Sequence, residues 1–137
     1  MWWIYALLSA LFASLTAIFA KIGVANISSN LATAIRTVII LIIAWGIVFF
    51  KGEIEGLTNL SKKNITFLIL SGIATGLSWI FYFKALQLGK VSQVAPVDKL
   101  SVALTILLSF FVLHEEKKKK MAIGSILIVA GTLILIF

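Results

Sequence analysis

Apolar runs near 20 residues long alternate with short polar connectors along the whole chain. A helix of about 20 residues crosses the hydrocarbon core of a bilayer, so each such run predicts a membrane-spanning helix. The pattern indicates an all-α membrane protein, a bundle of five transmembrane helices that forms a single domain over residues 1–137. The predicted helices cover about 2–20, 31–50, 65–83, 96–113 and 121–137.

The fourth helix has to begin before its uncharged core. Leu100–Leu113 would cover only roughly 21 Å of a hydrocarbon core of roughly 30 Å. Pro96 is the only proline, and proline suits the first turn of a helix, where its missing N–H has no partner to lose. We therefore expect the helix to begin at Pro96, with Asp98 and Lys99 in its first turn.

Composition supports the membrane class and argues against a metal site, a cofactor and an enzymatic activity. Of the 137 residues, 61% are hydrophobic and 12% charged, more apolar surface than a water-soluble domain of this size can bury. There is no cysteine and a single histidine, His114, so we expect no metal site and no cofactor. No catalytic triad, paired intramembrane carboxylates or glycine-rich phosphate loop supports an enzyme.

The net charge of +7 is carried largely by connectors, a pattern that sets orientation in a membrane protein. Five spans place seven lysines on one side and five basic residues on the other, or two if only connectors count. The larger set predicts a cytoplasmic N-terminus and an external C-terminus in the inner membrane. The run from His114 to Lys120 is interpreted as a topology anchor, with lipid headgroup binding as the alternative, and nucleic-acid binding is not expected. The seven lysines are Lys51, Lys62, Lys63, Lys117, Lys118, Lys119 and Lys120.

Ionisable residues inside or beside the spans are the candidates for function, because a charge in hydrocarbon is costly. Arg36 is the deepest; it either snorkels to the outer interface or lines a polar cavity. Lys21 and Lys84 close helices one and three, as interface anchors or as substrate contacts. The negative charge of Asp98 is stabilised by the N-terminus of its helix. Asp98 either forms a structural ion pair or serves as a substrate or proton site. Because adjacent helical residues do not face each other, we expect it to pair with Arg36, Lys84 or a partner chain rather than with Lys99.

Aromatic residues complete the candidate site. Trp79 and Tyr82 lie three residues apart on one helix face, as interfacial belt residues or as a stacking wall for a substrate. Cationic residues outnumber acidic ones in the set, which favours an anionic or zwitterionic substrate. The predicted lining is Arg36, Trp79, Tyr82, Lys84, Asp98 and Lys99, with Lys21 at the rim.

Gly72 and Gly76 form a GxxxG spacing in the third helix. Small residues at this spacing let helix backbones approach closely within a bilayer. The spacing indicates either helix packing within the chain or a dimer seam.

The order of these features resembles the EamA domain of the drug/metabolite transporter superfamily. The resemblance rests on the lysine in AIFAKIG, the arginine in ATAIRTVIIL, the stretch from Phe81 to Glu116 and the last helix, GSILIVAGTLILI. The family's usual member has ten helices in two inverted five-helix units. The resemblance therefore implies one half of that architecture, a transporter of small metabolites or amphipathic compounds that works by alternating access as a homodimer. By analogy the dimer is antiparallel, and the charge distribution leaves a parallel dimer or a second unit as alternatives. The alternative is a non-transporting membrane subunit that packs with a larger partner.

Overall fold

The computed structural model describes residues 1–114 and 119–137, and within these residues the chain is helical without any strand. Five helical stretches are long and apolar enough to cross a membrane, which confirms the predicted class of an all-helical protein with five spans. The helices are α1 (Trp2–Gly23), α2 (Ser29–Lys51), a 3₁₀ helix (Glu53–Asn59), α3 (Lys62–Leu88), α4 (Val91–Asp98), α5 (Leu100–Val112) and α6 (Lys119–Ile136).

Helices α1 and α3 continue past their predicted ends. α3 runs five residues beyond Phe83, because the sequence Lys-Ala-Leu-Gln-Leu that follows consists of good helix formers, and the helix stops just before Gly89. α1 likewise extends to Gly23. Lys21 and Lys84 therefore lie within the final turns of their helices, with helical backbone on both sides, rather than at helix ends as predicted.

The fourth span begins five residues before Pro96, so the prediction that Pro96 opens the helix is wrong. α4 begins at Val91 and contains Pro96, and α5 follows after one intervening residue, Lys99. The backbone N–H of Lys99 donates to the carbonyls of both Ala95, at 3.3 Å, and Pro96, at 3.1 Å, so the two helices are nearly continuous. The span is therefore Val91–Val112, and its charged residues lie more than one turn inside it.

A 3₁₀ helix occupies the connector between α2 and α3. Gly52 ends α2 with φ +69°, a left-handed conformation that favours glycine, and its N–H donates to the carbonyl of Phe49 at 3.2 Å. Ile54, Leu57 and Leu60 follow at a spacing of three, which matches the 3₁₀ repeat. The helix packs beside the end of α2 around an apolar cavity of about 350 Å³.

One compact unit comprises Phe19–Gln87. Its most deeply buried side chains are Val24, Phe83 and Leu86, with exposed fractions of 1%, 2% and 0%. Ser29 and Thr33 on α2 are also buried, and the Thr33 hydroxyl donates to the Ser29 carbonyl at 2.9 Å. The packing of this unit is therefore concentrated where α1 ends, α2 begins and α3 ends.

A second compact unit comprises Met1–Ile18 and Leu88–Phe137. Within it α4, α5 and α6 approach one another closely. Thr132 on α6 is buried, and its hydroxyl lies within donating distance of the Pro96 carbonyl, at 3.2 Å, and of the Ile128 carbonyl, at 2.8 Å. The Thr132 hydroxyl on α6 thus contacts a backbone carbonyl beside the helix interruption, where proline disrupts the regular pattern of backbone hydrogen bonds.

Candidate functional site

The end of α3 is joined by hydrogen bonds to the end of α1 and to the turn that precedes α2. The Lys21 ammonium donates to the Leu86 carbonyl. The Gln87 side-chain amide donates to the carbonyls of Val24, at 3.3 Å, and Ile27, at 2.8 Å. Cations and amide donors suit these positions, because the last carbonyls of a helix have no partner within the helix. The beginning of α2 and the end of α3 therefore lie at the same end of this unit.

Arg36 stacks on two aromatic rings of α3. Its guanidinium carbon lies 4.2 Å from the ring centroid of Trp79 and 5.2 Å from that of Phe83. The two rings are four residues apart on one helix, so they share a face. Both distances fall within the range of cation–π attraction.

The Arg36 side chain does not run toward the near end of α2. Arg36 is seven residues after Ser29, about 10 Å along the helix, and Trp79 is eight residues before Gln87, about 12 Å from that end. Phe83 is closer to the end, about 6 Å from Gln87. Because the guanidinium lies nearer the deeper ring, the side chain reaches across to α3, whereas snorkelling would carry it toward the surface.

The charge of Arg36 has aromatic faces rather than a carboxylate beside it. Arg36 is half-buried, and within the unit Phe19–Gln87 no aspartate or glutamate forms an ion pair with it, while the Tyr82 phenol is its electrostatic neighbour. A long cationic side chain therefore reaches from α2 to the aromatic rings of α3.

The remaining predicted residues of this unit take different positions. Tyr82 is half-buried, and its ring meets that of Phe83 edge-on, with centroids 6.3 Å apart and planes at 70°. Lys84 is exposed and forms no hydrogen bond or ion pair within the described residues. Sequence reasoning missed Phe83 as a partner of Arg36, although its spacing of four residues from Trp79 was the available signal.

Asp98 and Lys99 lie in the other compact unit and pair with each other. The Lys99 ammonium is 3.6 Å from the Asp98 carboxylate, and the side chains are 57% and 37% exposed, respectively. The expectation that Asp98 does not pair with Lys99 is wrong, because both side chains are partly exposed and the long lysine side chain brings its ammonium beside the neighbouring carboxylate. Exposed pairs of this kind contribute little to stability.

The GxxxG pair on α3 makes no close contact within the described chain. A methyl group placed on either Gly72 or Gly76 would meet no atom within 4 Å. The spacing therefore does not serve close helix packing within the unit Phe19–Gln87. The predicted topology anchor is described only at His114, Lys119 and Lys120, since residues 115–118 lie outside the described residues.

Five apolar spans, an interrupted fourth span and an arginine held on aromatic rings between two spans define a class, that of polytopic membrane proteins with ionisable residues inside the membrane. In such proteins, ionisable residues inside the membrane commonly mark the pathways of transported substrates. The model of the EamA-like transporter family matches residues 1–137, and the chain belongs to that family.

Two curated proteins are similar to the chain. A Sinorhizobium protein named as an uncharacterized transporter in the cobO 3′ region is 46% identical over 134 residues, which cover 98% of this chain and 95% of that protein. An uncharacterized protein of Methanocaldococcus jannaschii is 31% identical over 74 residues, 54% of each chain. No solved structure gives a significant match. The first relative is thus nearly the same length as this chain.

Proposed function

We propose that the protein transports small metabolites or amphipathic compounds across the cell membrane by alternating access. The observation that carries the proposal is the family match over the whole chain, together with a relative of nearly equal length that bears the name of a transporter. The polar and aromatic lining in this proposal consists of Arg36, Trp79, Tyr82, Lys84, Asp98 and Lys99, with Lys21 at the rim.

Two copies of the chain form the transporter in this proposal. A ten-helix transporter built from two inverted five-helix units places its substrate site between the units. The described residues supply five spans, the number in one such unit, and in this proposal a second copy supplies the other five. The face of α3 at Gly72 and Gly76 supports this view, because small residues that make no close contact within the unit Phe19–Gln87 suit a helix from another copy.

Orientation in the inner membrane follows from charge. The larger lysine set supports a cytoplasmic N-terminus and an external C-terminus. A reporter fused after Phe137, with distinct signals inside and outside the cell, tests this placement. A purely external signal supports one orientation and a parallel dimer, whereas a mixed signal supports an antiparallel dimer with both orientations present.

Uptake by liposomes that contain only this protein tests the transport proposal. The vesicles are offered radiolabelled organic acids, amines and neutral compounds in parallel, with protein-free vesicles as the control. Saturable uptake of at least one class is expected. A folded, monodisperse protein that moves none of them would refute the proposal.

The alternative role, a non-transporting subunit, is also favoured by the open glycine face, since another membrane protein can pack there. Purification distinguishes the two roles. A stable homodimer in detergent, measured by light scattering, supports the transporter. A chain that stays soluble only together with another protein supports the subunit.

A further inference from the structure

We propose that Arg36 binds an oxyanion, a carboxylate or phosphate group, of the transported compound, and that Trp79 and Phe83 hold the guanidinium in the orientation that binding requires. The inference rests on the proposed transport function and adds the chemical class of the substrate. It comes from the geometry of the stack between α2 and α3.

The stack leaves the binding edge of the guanidinium available. An aromatic face attracts the cation through its ring quadrupole, but it accepts none of the five N–H donors in the guanidinium plane. Oxyanions approach in that plane and form paired hydrogen bonds along one edge. Aromatic contact on the face and anion contact on the edge are therefore compatible in one side chain.

The surroundings of Arg36 favour the binding of an anion. The guanidinium is half-buried in a span and has no carboxylate partner within the unit Phe19–Gln87. Coulombic attraction is stronger in such a place than in water, because the effective dielectric constant is lower. A bound oxyanion neutralises the charge and fills the hydrogen bonds at the same time, whereas a neutral or cationic compound does neither.

The stack also keeps the side chain in place before the ligand arrives. An arginine side chain loses rotamer freedom when it is fixed, and this loss opposes binding. Contact with Trp79 at 4.2 Å restricts the guanidinium in the ligand-free protein, so less freedom is lost on binding. The aromatic pair therefore acts as a positioning element, and Arg36 is the binding residue.

Two sources of the oxyanion share this chemistry, a soluble acid and the phosphate of a lipid headgroup. The soluble acid is the better match, because the guanidinium lies at the level of Trp79, about 12 Å along α3 from Gln87. A headgroup phosphate is at the membrane surface, and an arginine that binds it extends toward that surface.

Fluorescence of Trp79 reports binding directly. Replacement of Trp2, Trp3 and Trp45 by phenylalanine leaves Trp79 as the only tryptophan of the chain. The purified protein in a nonionic detergent is titrated with benzoate, with inorganic phosphate and with benzamide, the neutral analogue of benzoate. A saturable change with benzoate or phosphate and none with benzamide is expected.

Variants at Arg36 test its role in the signal. Arg36→Gln is expected to weaken anion binding at least tenfold, and Arg36→Lys, which keeps the charge but loses the planar fork, to weaken it less. Lys51→Gln, at the exposed end of the same helix, removes an equal charge and is expected to leave binding unchanged. Thermal unfolding of each variant shows that it is folded; if Arg36→Gln is not, Arg36→Lys carries the comparison.

The outcomes separate this inference from the proposed function. Equal responses to benzoate and benzamide, or a response only to added phosphatidylglycerol, overturn the inference. Liposome uptake of benzylamine or benzamide without benzoate or phosphate also overturns it, while transport stands. Anion binding that depends on Arg36 in a protein that transports nothing supports the oxyanion site and overturns the transport proposal.

Discussion

The contact between Arg36 and Trp79 should contribute about 1 kcal/mol to the stability of the protein. Cation–π pairs contribute about 0.5–1 kcal/mol at exposed sites and about 2 kcal/mol when desolvated. Arg36 and Trp79 are both half-buried and the guanidinium lies 4.2 Å from the ring centroid, which places this pair between the two cases. The Phe83 ring, at 5.2 Å, contributes less because it is farther away.

A double-mutant cycle isolates this term from the other effects of each substitution. The free energy of unfolding is measured by SDS titration in mixed micelles for Arg36→Met, Trp79→Leu and the double variant. The expected coupling energy is about 1 kcal/mol. The single variants lose additional packing, so their individual effects are larger and do not measure the pair.

Lys84 provides the matched control for the cycle. It is a cation on the same helix as Trp79, it is exposed, and its position five residues away points about 140° around the helix. The cycle of Lys84→Met with Trp79→Leu should give a coupling energy near zero. The reasoning would be refuted if the Arg36 cycle gave no more coupling than this control.

Three further substitutions test the packing of the two units. Thr132→Val should lower the free energy of unfolding by about 0.5–1.5 kcal/mol, because the Pro96 carbonyl loses a donor, and Thr132→Ser should restore most of it; equal losses for both would contradict the bond. Gln87→Leu should lower the melting temperature in detergent by removing the donors to two turn carbonyls, whereas Gln93→Leu, exposed on α4, should not; equal shifts would contradict a special role for Gln87. Gly52→Ala should cost about 1–2 kcal/mol in SDS unfolding because of its positive φ, and Gly56→Ala less; the reverse order would contradict the cap.

The sequence was sufficient to predict the five spans, but it was less informative about where the fourth span is interrupted. Five apolar runs have one structural solution in a bilayer, because only helices satisfy every backbone group within a single segment. The interruption at Lys99 depends on where Pro96 falls within its helix, and the five residues before the proline are helical as well, so that the helix begins at Val91. The 3₁₀ helix was readable in principle from the spacing of Ile54, Leu57 and Leu60.

The sequence was enough to single out candidate residues by their type, but it did not indicate which residues they contact. The cost of a charge in hydrocarbon identified Arg36 as a candidate without any structure. The partner of a side chain depends on which helix lies opposite, and that information is tertiary. Phe83 was therefore missed beside Trp79, and Asp98 was not expected to pair with Lys99, although the Lys99 ammonium lies 3.6 Å from its carboxylate.

Entrance counterflow tests alternating access most directly. Liposomes that contain the protein are loaded with an unlabelled compound that it takes up, diluted, and supplied with a trace of the labelled compound outside. A carrier that exposes one site to each side in turn exchanges the two, so the label should accumulate transiently above its equilibrium level and then decline. Uptake that rises to equilibrium with no such maximum would contradict the account.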